Sequence, residues 1–316
     1  MINAQKAKYI KLGEAGRLEN ICFKTGTLRL GYHQVPDELG DNFDAVKNIF
    51  YDKFRKTKST SSDHARQVTD FYNSGLETIW FTFSNGLLYW CQAEKDVTIL
   101  GYDAKKDGKD GSRYKKTISG WSNKDIEGND LLISKLSGKL TKVAGYRGTI
   151  CNIDNELFNY LKRKINCQDL EQISKAKIAK DNTLKSIEEL FKFLHWKDFE
   201  LLVELVFAKS GWQRISSLGG TQKTIDIEIL LPSTEESAFV QVKSHTKAGE
   251  LESYIKQHQE RVRVKQKNEK MFYVFHSPKD IKMEINDDNI KLINSEKLAK
   301  MVLDAGLFNW LLEKVG

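Results

Sequence analysis

The segment that most constrains the fold runs from 196 to 243. An amphipathic helix pattern, WKDFELLVELVFAK, closes at Gly211 and is followed by short apolar runs that include TIDIEILL and AFVQVKS. Apolar residues at Phe199, Leu202, Val203, Val206 and Phe207 recur at helical spacing, and the runs after them alternate with a period of two, as strands do. A helix pattern at 249–264, a strand pattern at KMFYVFHS and a final helix over 295–314 continue the alternation. Helix, adjacent strands and helical crossover imply a mixed sheet with helices on its faces, an α/β domain over 195–316.

The strands carry polar groups that a plain sheet does not need. In the first, Asp226 and Glu228 share one side while Ile225, Ile227 and Ile229 share the other. In the next, Gln241 and Lys243 lie with Phe239, while Val240 and Val242 face the core. On the preceding helix Glu200 sits at the border of the apolar stripe, and Glu204, one turn on, points farther into solvent; Glu200 is the better placed to reach the sheet. A carboxylate, a second oxygen ligand and a lysine around one point suit metal-assisted phosphodiester hydrolysis by water. Here the lysine supplies positive charge to the transition state.

These residues resemble a known family. DFELLVELVFAKSGWQ, TIDIEI and FVQVKS are similar to the catalytic core of the PD-(D/E)XK nucleases, in the Mrr-like (type IV) restriction endonuclease branch with Gln-x-Lys. The resemblance covers roughly 195–280. It implies a restriction-endonuclease-like fold and a catalytic set of Asp226, Gln241, Lys243 and Glu200, with Asp226, Gln241 and Glu200 holding Mg²⁺ and Mn²⁺ able to substitute. GGTQKTID stands where many relatives carry an acidic-Gly-Ile-Asp run, and Gln241 is neutral, so few negative charges hold the metal. Beside the motif, Lys223 and His245 are candidates to touch DNA. The run 256–270, with Lys256, Arg261, Arg263, Lys265, Lys267 and Lys270, suits a phosphate backbone.

Residues 1–152 read as a strand-rich α+β domain, a curled sheet or small barrel, for recognition or sensing. TIWFTFSNGLLYWCQA reads as a hairpin turning at Asn85-Gly86, and helices are expected around 42–58 and 62–74. The text around IWFTFSNGLLYWC and GYRGTIC faintly resembles PUA- or EVE-like barrels, which hold a flipped base in an aromatic pocket. That resemblance makes Trp80, Tyr89, Trp90 and Trp121 the base-recognition candidates, with Arg113 and Arg147 available to a phosphate. Residues 153–194 read as a hydrophilic helical linker between the domains.

Length and composition set the outer bounds. The 316 residues suit two domains, and a net charge of +7 tolerates a polyanionic partner. Cys22, Cys91, Cys151 and Cys167 are scattered without metal-ligand spacing. No apolar run approaches a membrane span, the N-terminal text lacks a secretion signal, and the expectation is a cytoplasmic protein without membrane partner. No phosphate-binding loop of the Walker type is present, so a motor or sensor, if used, would be a separate protein. The expectation is a metal-dependent DNA endonuclease of modification-dependent restriction in phage defence, with a homodimer plausible for double-strand cutting. A junction or repair nuclease and a non-catalytic nucleic-acid-binding module are the alternatives.

Overall fold

The computed structural model describes residues 1–100, 111–215, 227–265, 269–278, 281, 285 and 287–316. Asp226, Lys223 and Lys267 lie outside the described residues, as does the side chain of Lys265. The chain divides into two compact units, Met1–Leu170 and Glu171–Gly316.

The first unit contains, in order, β1 (Lys6–Ile10), α1 (Glu19–Thr25), β2 (Thr27–Leu30), α2 (Phe43–Asn48), α3 (Lys58–Asn73), β3 (Thr78–Ser84), β4 (Leu87–Gln92), β5 (Thr98–Ile99), β6 (Arg113–Lys116), α4 (Gly138–Thr141), β7 (Ile150–Asn152) and α5 (Asn155–Ile165). The strands form two sheets, ordered β4-β3-β1-β7 and β2-β6-β5, with β1 and β3 parallel. The hairpin turns as its sequence requires: Asn85 and Gly86 take φ of 49° and 78°, the left-handed pair of a two-residue connection. Alternation along β3 sends Ile79 and Phe81 to a core with Leu157, Phe158, Leu161 and Ile165 of α5, and sends Trp80 to a second core with Phe71 of α3. The helix expected near 42–58 is interrupted, because Ile49–Lys53 forms a π-helical turn after α2.

The second unit contains α6 (Glu171–Leu190), α7 (Trp196–Lys209), β8 (Gln213–Arg214), β9 (Ile227–Leu231), β10 (Glu236–His245), α8 (Ala248–Lys265), β11 (Glu269–Ser277), β12 (Ile290–Ile293), α9 (Ser295–Asp304) and α10 (Phe308–Val315). Its five-stranded sheet is ordered β12-β11-β10-β9-β8. The pairs β10–β11 and β11–β12 are parallel, while β9–β10 and β8–β9 are antiparallel. This is the mixed, helix-flanked sheet that the alternation implies. On one face Val240, Val242, Ile227 and Ile229 pack with Phe199, Leu202, Val203 and Val206 of α7 and with α9. On the other, Phe239, Met271, Tyr273 and Phe275 pack with Leu251 of α8. A parallel neighbour for β10 requires a crossover, and α8 supplies it.

Several boundaries move for physical reasons. The stretch 153–194 is not a free-standing linker, since α5 buries four apolar residues in the first unit and α6 commits Ile187 to the second. The final helix is broken into α9 and α10 by Gly306, which takes a φ of 70°.

Candidate active site at the end of the third sheet strand

The third strand of the sheet, β10, is the longest, and its C-terminal half carries the chemistry. Glu200 of α7 and Val242, Lys243, Ser244 and His245 of β10 line one small pocket, with Trp196 and Phe199 as its apolar wall. Glu200 reaches it because α7 packs its Phe199 face on Val240 and Val242, which sets the half-buried carboxylate beside the strand end. Glu204 is drawn elsewhere, 2.6 Å from Arg214 of β8.

Lys243 stands 3.2 Å from a carboxylate oxygen of Glu250 in the first turn of α8, with its ammonium 5.3 Å from the centre of the Tyr254 ring. Burial pulls its pKa down, but Tyr254 and Glu250 outweigh burial and hold it above the ordinary lysine value, so the side chain is a fixed cation. Gln241 lies two residues back on the same face, 2 % exposed, in the layer that α8 covers. On the opposite side of the strand end, burial pushes the His276 imidazole down to about 4, helped by the neighbouring His245 and Lys192. The His245 and His276 rings are 5.7 Å apart, and His245 itself is exposed.

The structure brings Glu200, Lys243 and His245 to the lining of one pocket, whereas Gln241 is buried on the face that α8 covers and is not part of that lining. Asp226, the remaining member of the expected set, lies outside the described residues. Among the described residues no cluster of three His, Cys, Asp or Glu side chains could hold a metal ion.

Other sequence candidates have structural partners instead. Arg261 bridges Glu228 of β9 at 2.5 Å and Glu269 of β11 at 2.8 Å, with its guanidinium over the Phe239 ring, so it ties α8 to the sheet rather than facing DNA. Lys270 pairs with Glu236 at 2.8 Å. Lys256 and Arg263 are the described cations of that run left exposed. In the first unit Trp80 is fully buried, Tyr89 stacks on Phe23 at 4.2 Å, Trp90 donates its indole N–H to the Lys124 carbonyl, and Trp121 donates to the Thr27 carbonyl. Burial closes Trp80 to a base, and Tyr89, Trp90 and Trp121 each have a structural partner within the first unit. Arg113 is likewise 2 % exposed, donating to the carbonyls of Tyr32 and Val35. Sequence reading missed Glu250 and Tyr254. The signal was available only as an acidic residue in the first turn of the helix after the lysine strand.

Comparison with known families agrees with the motif. Residues 191–302 match the Mrr_cat family, described as a restriction endonuclease. The C-terminal unit therefore carries a restriction-endonuclease-type nuclease domain, in agreement with the motif resemblance. Neither the curated proteins nor the solved structures gave a match. The family match leaves out the N-terminal unit, so the likeness of that unit to PUA- or EVE-like barrels rests on its sequence alone. Among the described residues no helix is long and apolar enough to cross a membrane.

Proposed function

We propose that the protein is a divalent-metal-dependent DNA endonuclease of modification-dependent restriction, acting in phage defence. The observation that carries the reading is that a half-buried Glu200 and the cationic Lys243 line one pocket at the end of β10, inside the segment that matches the restriction endonuclease family.

The donor set fits a hard cation modestly. Glu200 offers a carboxylate and Gln241 an amide oxygen, and Asp226 is the third proposed ligand; Mg²⁺ accepts so few protein oxygens because it keeps several waters. When bound, such an ion would neutralise charge on the phosphate and favour deprotonation of the attacking water. The chain's own residues do the rest. Lys243, held in place by Glu250 and Tyr254, sets a positive charge where the phosphorane gains negative charge. The Trp196 and Phe199 wall shields one side of the pocket from water, which strengthens that interaction. Water adds to phosphorus, the phosphorus–oxygen ester bond breaks, and the leaving alkoxide takes up a proton. Lys256 and Arg263, exposed on α8, are the described cations proposed to meet the DNA backbone, together with His245 and Lys223.

The test is plasmid cleavage with Mg²⁺ by the wild type, Asp226→Ala and Lys243→Ala. Both variants should be inactive while remaining folded, and persistent cutting by both would sink the assignment of the site. Parallel substrates that are unmodified, cytosine-modified or branched separate restriction of modified DNA from junction cleavage. Binding without cutting by the wild type under every metal would favour a non-catalytic module.

A further inference from the structure

The first unit contains a cleft of about 660 Å³, within the range of small-molecule sites. It lies where the loop after β1, the end of β2, the π-helical turn, the start of α3 and the loop before β7 converge. Lys11, Arg17, Arg29, Lys56 and Arg147 line it, against the single carboxylate of Glu14 among the described lining residues. Lys11 donates to the Tyr146 carbonyl at 2.8 Å, a contact that fixes the ammonium without cancelling its charge. Lys56, Arg17 and Arg147 are exposed at its rim.

An aromatic wall runs beside these cations. Tyr32, Phe50 and His64 pack on one another, with Phe50 and His64 centred 4.7 Å apart and the Tyr32 hydroxyl 3.0 Å from His64 Nδ1. Burial holds the His64 imidazole below its ordinary pKa against the pull of Asp63, so it stands there as a neutral ring. Phe54 follows the π-helical turn, 6.0 Å from Phe50, and is 39 % exposed. It presents a large ring to the cleft that the protein's own core leaves uncovered. At Gly31, on the lining, a side chain would meet nothing within 4 Å.

Excess positive charge alone would take any small anion, and an aromatic wall alone any flat apolar group. The two together in one cleft match a molecule with a flat π-face and an attached phosphate. We propose that this cleft binds a nucleotide, its base stacked on Phe54 and its phosphate among Arg17, Lys56 and Arg147. The nucleotide is either free or one unit of a single strand. The site is independent of the nuclease reading, because it draws on no residue of the second unit.

The experiment titrates the full-length chain in EDTA, so that cleavage does not intervene, with adenosine 5′-monophosphate, a five-residue thymidine oligonucleotide and inorganic phosphate in separate arms. The wild type should bind one or both nucleotide probes more tightly than phosphate. Phe54→Ala should weaken nucleotide binding by about 5- to 150-fold, the span of a lost base–aromatic stack, and leave phosphate unaffected. Lys56→Ala/Arg147→Ala should weaken every arm, and Gly31→Trp should block them by filling the cleft without changing its charge. Thermal melting confirms that each variant is folded; the three side chains removed are exposed. Binding of the monophosphate assigns a free nucleotide, and binding of the oligonucleotide alone, with the same sensitivities, assigns a strand. The proposal is overturned if neither nucleotide binds at millimolar concentration, if phosphate binds as well as both, or if folded Phe54→Ala and Gly31→Trp bind like the wild type.

Discussion

In the C-terminal unit Arg261 lies between Glu228 and Glu269, Lys270 on Glu236 and Lys243 on Glu250, whereas the cleft of the N-terminal unit gathers five cations around one carboxylate among its described lining residues. A sequence counts these lysines and arginines alike. The fold separates them: Arg261 and Lys270, with carboxylates at 2.5–2.8 Å, are ties between elements, while several cations gathered around one carboxylate create a field for a ligand. The aromatics divide in the same way. Trp80, in the hairpin that looked most like a reader of bases, is fully buried, and Phe54, in a segment read only as helix, is open.

Substitutions can break that comparison, starting from the largest effect. Trp80→Ala should cost about 4 kcal/mol of stability, as for other large-to-small core changes, with DNA cleavage per folded molecule unchanged; chemical denaturation followed by a cleavage assay checks both. A selective loss of modified-DNA recognition in a stable variant would instead return Trp80 to the binding surface. Lys243→Ala should lower the cleavage rate by about 10²- to 10³-fold, the scale of a lost transition-state charge contact, with no comparable fall in melting temperature. Arg261→Ala should do the reverse. It strands Glu228 and Glu269 on the sheet, at a cost of about 2 kcal/mol once partial exposure is allowed for, and DNA affinity measured in EDTA should hardly change.

Two smaller effects concern protons. His276 has its pKa lowered to about 4 by burial, so the unfolded chain binds the extra proton first. Its contribution to stability is complete above the ordinary histidine pKa near 6.5 and is lost as pH falls toward 4, amounting to no more than about 3 kcal/mol. Acid titration of thermal stability should show that loss, and His276→Leu should remove it. Lys243 is shifted the other way, its pKa raised despite burial. The stability of its pair with Glu250 is present below the unfolded lysine pKa and disappears as pH rises through the folded one. Glu250→Gln should therefore move the alkaline limb of the cleavage profile to lower pH, at a cost near neutrality of only about 0.5 kcal/mol, as for other partly exposed pairs.

Much of the catalytic unit was legible in the sequence because its signals are local. The apolar stripe of α7 is buried as its spacing implies, Val240 and Val242 fill the core beneath it, and Glu200 reaches the strand end from the border of that stripe. The hairpin at Asn85-Gly86 was legible for the same reason, since two adjacent residues determine it. What sequence reading lost depends on distance along the chain. Arg261 meets Glu228 from 33 residues away, and no pattern within α8 reports that. The tetrapeptide strand β12 is too short to show a period, and the cleft draws on five separate segments that no single motif joins. Residue types that suit DNA were thus recognisable, but which of them the fold had already spent on itself was not.

The burial of Gln241 has a consequence for how the nuclease strand responds to its surroundings. With 2 % exposure and a layer on each face of the sheet, position 241 is dry, and a carboxylate there would favour its protonated form until a cation arrived to claim it. Its charge would then depend on both acidity and ion supply. An amide offers the same oxygen with no such history: it is equally ready in acid or alkali, and it trades grip on the ion for a position whose own charge does not change with pH.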